Sequence, residues 1–180
     1  SNIFEKMYVF SFSMICWLIP MTKIATQVIL SSDYKVGSVY IGFLYLGAIF
    51  QGYSTFASVG YLQNKKTARA ATSSAAGAIV NLFIDLVLIK SVGLFAAAIS
   101  TYAGFFVMWI VRMYDIRKDW PINVKKVKFI ALTTLATLVA TVTIWTSIKV
   151  DVVITIIFGI LFLMLNKDYI ILILKKLGKR

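Results

Sequence analysis

About six long apolar segments alternate with short polar segments along this 180-residue chain. A helix needs about 20 mostly apolar residues to cross a hydrocarbon core of roughly 30 Å. Five of the segments reach that length, and the sixth is shorter, near the lower limit for a span. The segments are 7–30, 36–62, 67–89, 92–111, 129–148 and 152–165. The pattern therefore predicts an all-α membrane protein with about six transmembrane helices.

Small and polar residues recur at every fourth position in the third and fourth segments. That spacing places them on one face of each helix, where small side chains let two helices approach closely within a membrane. These residues are Ser73, Gly77, Asn81 and Asp85 in the third segment, and Ala96, Ser100 and Gly104 in the fourth. We therefore predict that the two segments form a tightly packed helical hairpin with polar groups at membrane depth.

Composition supports the membrane class and narrows the chemistry. Hydrophobic residues make up 60% of the chain and the mean hydropathy is +0.87, above the level of soluble domains. The one cysteine, Cys16, excludes an intrachain disulfide framework and a cysteine-based metal cluster. Without histidine, most metal-hydrolase and acid–base triad chemistry is excluded. We expect neither enzyme activity nor a cofactor, and we interpret the chain, which begins at Ser1, as a fragment.

The net charge of +12 is distributed unevenly between alternate loops. A basic surface can bind nucleic acid, but in so apolar a chain the positive-inside rule explains it better. The loops after the second and fourth segments, together with both ends, contain most of the basic residues. The loops after the first, third and fifth segments contain Lys35, Lys90 and Lys149. This bias predicts that both ends are cytoplasmic, that membrane lipids are partners and that nucleic acid is not.

The hairpin resembles one found in polysaccharide flippases of the multidrug/oligosaccharidyl-lipid/polysaccharide exporter superfamily. The similar residues are Asn81, Asp85, Leu88 and Ile89, then Gly93 and the run Ala96-Ala97-Ala98-Ile99-Ser100-Thr101. The chain departs from the usual pattern at Ala96, where glycine is common, and at Ser100, where alanine is common. The motif covers about 20 residues, and the order of segments extends the resemblance over the whole chain.

The resemblance implies most of one lobe of a two-lobed exporter, followed by two additional helices. On this basis, residues 1–112 are second-lobe helices and 113–128 a basic cytoplasmic loop. Residues 129–166 are the additional pair, and 167–180 form a basic amphipathic tail at the membrane surface.

The same resemblance implies a function in the bacterial inner membrane. The protein would move lipid-linked oligosaccharide repeat units for O-antigen or capsule across the membrane by alternating access. Proton or sodium coupling and polysaccharide polymerase or assembly partners are implied by the family alone. Another exporter of the superfamily, for drugs or lipid precursors, is the main alternative. A membrane-embedded glycan polymerase fits less well, because the loops predicted to face outwards after the third and fifth segments are short.

Polar residues inside apolar segments are the candidate transport residues, because a charged side chain at the membrane centre costs roughly 2.5–3.5 kcal/mol. Lys23 would face the cavity and attract an anionic substrate, or its amine would extend to the outer surface. Gln27, on the same face, would bind sugar hydroxyls or lie at the outer helix end.

Three more candidates lie in the second and third segments. Asp85 would couple transport to a cation or proton, or pair with Lys23. Alternatively, Asn81 and Asp85 would hydrogen-bond the neighbouring helix and hold the hairpin together. Gln51 would line the cavity or be structural.

Overall fold

The computed structural model describes residues 2–30, 36–117, 124–167 and 171, and its regular structure is helical throughout these ranges. The helices are α1 (Asn2–Ile29), α2 (Ile41–Gln63), α3 (Thr67–Val92), α4 (Phe95–Ile116), α5 (Lys126–Trp145) and α6 (Ile148–Leu165), with a short 3₁₀ helix at Val36–Val39. The all-α fold class is therefore confirmed.

Five of these helices are long and apolar enough to cross a membrane, as in a multi-pass membrane protein. The sixth, α2, has 23 residues and no charged side chain. Its glycines, its hydroxyl-bearing residues and Gln51 make it less apolar than the others. The predicted number of about six long helices therefore agrees with the structure.

Most helix boundaries differ from the predicted segments by a few residues, and two of these differences change where a charged residue lies. Helix α4 continues to Ile116, so Arg112 lies within it rather than directly after the predicted segment 92–111. Helix α6 begins at Ile148, so Asp151 lies in its first turn rather than in a connecting turn. In both cases a charged residue interrupts the apolar run in the sequence. Neighbouring groups bind that charge in the structure, so the helix includes the charged residue. The predicted amphipathic tail, 167–180, lies outside the described residues except for 167 and 171.

The contacts divide the chain into two units, one of residues 1–39 with 124–180 and the other of residues 40–123. The sequence-based division into a lobe and an additional pair stays a prediction about a larger assembly. In the first unit, α1 packs against α5 and α6. Aromatic side chains join them. The Tyr8 and Phe129 ring centroids are 5.3 Å apart, and Trp17 stacks on Phe162 at 5.8 Å.

The second unit is organised around α4, which packs against both α2 and α3. The small-residue face predicted for the hairpin is confirmed where α3 crosses α4. A Cβ atom added to Gly77 would lie 2.8 Å from the carbonyl oxygen of Gly104, and one added to Gly104 would lie 2.8 Å from that of Gly77. The two backbones are therefore in direct contact, as in other small-residue crossings of membrane helices.

Gly93 ends α3 and reverses the chain into α4. Its φ of +58° lies in the left-handed region, which glycine adopts without a steric penalty. Its N–H donates to the carbonyl of Ile89 at 3.0 Å, which satisfies one of the last free carbonyls of the helix.

Candidate functional site

A polar cleft lies in the second unit, with α4 as its floor and α2 and α3 as its walls. It arises because α2 and α3 both pack on α4 but make few contacts with each other. Its volume is about 360 Å³, within the range of small-molecule sites. Its lining residues are Gln51, Thr55, Ser74, Gly77, Ala78, Asn81, Thr101, Gly104, Phe105, Met108 and Arg112.

Helical spacing explains why polar groups from three helices face the same cleft. Gln51 and Thr55 are one turn apart on α2, and Ser74 and Asn81 are two turns apart on α3. The Gly77–Gly104 crossing brings α3 against α4, so that Thr101 and Arg112 on α4 lie beneath the α3 residues. Gln51, Thr55 and Ser74 are exposed, so the cleft opens between α2 and α3.

Arg112 is the charged residue of this cleft, and it is only 6% exposed. Its Nε donates to Ser73 Oγ at 3.0 Å, and its Nη1 donates to the carbonyl of Ser54 at 2.8 Å. Its Nη2 donates to Ser74 Oγ at 2.8 Å and to the carbonyl of Ala70 at 3.4 Å. The guanidinium therefore links all three helices through hydrogen bonds.

All four acceptors of Arg112 are uncharged oxygens. Within the described ranges Arg112 forms no ion pair, and the cleft lining contains no acidic side chain. An arginine side chain stays protonated in proteins. The cleft therefore combines one uncompensated positive charge with amide and hydroxyl groups.

The first unit holds a second buried charge, and there the charge has a counterion. Lys23 Nζ lies 2.8 Å from Asp151 Oδ2, and the two side chains are 7% and 0% exposed. The same ammonium donates to the carbonyl of Thr146 at 2.7 Å and to that of Thr143. These carbonyls are at the C-terminal end of α5, where intrahelical donors are lacking.

The Lys23–Asp151 pair complements the helix ends around it. The cation lies at the C-terminal end of α5, and the carboxylate lies in the first turn of α6, which is the favourable arrangement for both helix dipoles. Thr146 Oγ1 also donates to Asp151. The pair therefore holds the α5–α6 turn against α1.

The remaining predicted residues lie in different surroundings. Gln27 is half-buried on α1, outside the cleft. Asp85 is half-buried on α3, and its Oδ1 atom is buried without a hydrogen-bond partner in the described part of the chain. Asp85 is not among the cleft-lining residues.

The structure thus brings together two of the five predicted site residues, Gln51 and Asn81, and adds Arg112 to them. It pairs Lys23 with Asp151, a residue that sequence reasoning assigned to a turn. A signal for Arg112 was present in the sequence. The four-residue ladder of α4 continues beyond Gly104 through Met108 to Arg112, and all three residues are buried.

A surface cluster lies near the start of α5. Glu5 Oε2 is 2.9 Å from Lys125 Nζ, and Glu5 Oε1 is 3.1 Å from Lys128 Nζ. The hydrogen bond to Glu5 raises the pKa of Lys125. Surface pairs of this kind contribute little to stability.

The described ranges contain no group of three or more His, Cys, Asp or Glu side chains that could hold a metal ion. Comparison with known proteins adds no family to these observations. No family model matches the chain, and neither curated proteins nor solved structures give a significant match.

Proposed function

We propose that this chain is part of a flippase that moves lipid-linked oligosaccharide repeat units across the bacterial inner membrane. The repeat units would be joined through pyrophosphate to an undecaprenyl carrier, and transport would proceed by alternating access between two lobes. The α2–α4 cleft is the observation that carries the proposal. It provides a polar surface among three helices, of which α3 and α4 are apolar enough to cross a membrane.

The chemistry of the lining supports a glycan with an anionic headgroup. The amides of Gln51 and Asn81 can donate to and accept from sugar hydroxyls. The one charge in the lining is positive, which suits pyrophosphate and disfavours a cationic drug. A drug exporter of the same superfamily therefore fits the cleft less well.

Orientation and coupling belong to the same proposal. The bias of basic residues supports cytoplasmic ends, with Lys90 and Lys149 facing the periplasm. Asp85, whose buried Oδ1 has no hydrogen-bond partner among the described residues, is the candidate for proton or sodium coupling. Lys23 is bound by Asp151 and two carbonyls, so we assign it a structural role rather than a substrate-binding role.

Deleting the gene and measuring lipid-linked repeat units in each leaflet tests the function. We expect undecaprenyl-linked units to accumulate in the cytoplasmic leaflet and surface glycan to be lost, with the gene restoring both. In complementation, Gln51→Leu and Asn81→Leu should reduce surface glycan. Gln63→Leu, an exposed glutamine at the end of the same helix α2, is the matched control. Normal surface glycan in the deletion strain would refute the proposal.

A further inference from the structure

The Arg112 guanidinium has a spare donor and an unneutralised charge beside an open cavity. It carries five N–H groups, and the four hydrogen bonds described above use four of them. A buried charge without a counterion is unfavourable in a low-dielectric setting. An anion in the cleft would supply the missing negative charge.

Neighbouring groups of the cleft can donate hydrogen bonds to an anion. The amide groups of Gln51 and Asn81 make no hydrogen bond in the described part of the chain, so their N–H groups are free to donate. The lining has no acidic side chain that would repel an anion or hold a cation. Phosphate oxygens are strong acceptors, and a hydrogen bond from the remaining N–H of a charged guanidinium to a phosphate oxygen is stronger than one between neutral groups.

We propose that Arg112 is the anchor of a phosphate subsite, and that a phosphate or pyrophosphate group enters the cleft between α2 and α3 to bind it. Such a subsite explains why polar residues of α2 and α3 face the same cleft as Arg112. The anion binds at Arg112, and the attached group extends towards Gln51 and Asn81. This deepens the proposed function by naming the part of the substrate that Arg112 binds, and it rests on that function for the identity of the group attached to the phosphate.

Binding of inorganic pyrophosphate to the full chain in lipid nanodiscs is the direct test. We expect saturable binding, which Arg112→Gln weakens about tenfold to a hundredfold because a charge-assisted hydrogen bond is lost. Arg112→Lys should fall between the two, because it keeps the charge but not the fixed donor geometry of the guanidinium. Arg69→Gln is the matched control, since Arg69 is an exposed arginine near the same end that pairs with Asp115.

Two probes separate the sources of the phosphate. Nanodiscs containing phosphatidic acid present a lipid-borne phosphate monoester, and farnesyl pyrophosphate presents a pyrophosphate on an isoprenoid chain. Tighter Arg112-dependent binding of farnesyl pyrophosphate than of inorganic pyrophosphate would indicate a lipid carrier. Equal binding would indicate recognition of the phosphate alone. Either result supports the subsite.

A test on the unaltered protein covers the case in which Arg112→Gln fails to fold, because Arg112 also links three helices. Pyrophosphate should slow the modification of Arg112 by phenylglyoxal, read by peptide mass spectrometry, and leave that of Arg69 unchanged. Absence of protection, or wild-type affinity in a folded Arg112→Gln variant, would overturn the subsite.

The two proposals fail separately. If glycan export does not depend on the gene while Arg112-dependent pyrophosphate binding persists, the function falls and the subsite stands. If export depends on the gene but pyrophosphate neither binds nor protects Arg112, only the subsite falls.

Discussion

At the scale of single residues, Lys23 and Arg112 show two ways to keep a cation inside apolar helices. Lys23 meets a carboxylate and the free carbonyls of a helix end. Within the described ranges, Arg112 meets only hydroxyl and carbonyl oxygens. In the first arrangement a carboxylate neutralises the cation, and the pair stabilises a turn. The second leaves a charge that an anion can neutralise.

Breaking the Lys23–Asp151 pair should destabilise the protein strongly, because one buried charge would remain unpaired. We expect Lys23→Met to lower the free energy of unfolding by about 3 kcal/mol and the thermal midpoint by about 6–12 °C. The double variant with Asp151→Leu should lose less than the single one, because no charge is stranded. Lys149→Met, an exposed lysine on α6, is the control. Losses that simply add in the double variant would contradict a direct pair.

Asp85 should behave in the opposite way. Because its buried Oδ1 has no partner in the described ranges, Asp85→Asn removes an unfavourable charge at similar volume. We expect the thermal midpoint of the purified protein not to fall, while ion-coupled export falls. A midpoint lowered by more than about 3 °C would instead indicate that Asp85 holds the hairpin together.

Single residues were also where sequence reasoning succeeded least. The sequence identifies Gln51 and Asn81 as candidates because a polar side chain inside an apolar helix is unfavourable unless it faces a partner or a polar cavity. Asp151 was missed because its partner lies on a distant helix, and a local pattern does not show which helices meet. The sequence does not identify Arg112, because a charged residue is also typical of the end of an apolar run, although the four-residue ladder of α4 passes through it.

At the scale of helices, spacing predicted the α3–α4 contact well. Small residues at every fourth position identified the face through which the backbones touch at Gly77 and Gly104. Capping by Gly93 was also visible as a glycine between two helical patterns. Spacing does not predict the role of the weakly apolar α2. That helix forms one wall of a cleft, and the cleft depends on how three helices pack together.

Adding a side chain at the α3–α4 crossing should separate the helices. We expect Gly77→Val to destabilise the protein by about 1–3 kcal/mol, because its Cβ would meet the backbone of Gly104. Gly52→Ala on α2 is the matched control, since an added Cβ there has open space. It should be neutral or stabilising by up to about 1 kcal/mol. Thermal unfolding of the purified variants measures both, and equal midpoints would contradict a tight crossing.

At the scale of the whole molecule, charge and hydropathy determine what can be tested about topology. Five helices are apolar enough to cross a membrane, and the basic residues alternate between loops. The positive-inside rule then predicts which loops face the cytoplasm. The contacts within each unit do not show which loops face the cytoplasm.

Cysteine accessibility tests this orientation in cells. In a Cys16→Ser background, we expect Lys90→Cys and Lys149→Cys to react with a membrane-impermeant maleimide added outside. Lys65→Cys and Lys125→Cys should react only after the membrane is permeabilised. Labelling of Lys65→Cys or Lys125→Cys in intact cells would reverse the proposed orientation.

The Lys23 site has a consequence for synthesis of the chain. Lys23 enters the bilayer with the first helix, but Thr143, one of its acceptors, is 120 residues later, and Asp151 is later still. Until the ribosome has delivered α6, the ammonium lacks this counterion and must remain in contact with lipid headgroups, water or an insertion factor. A prematurely terminated polypeptide keeps this unsatisfied cation. Quality-control proteases of the membrane could therefore recognise incomplete chains by Lys23, the residue that stabilises the α5–α6 turn in the folded protein.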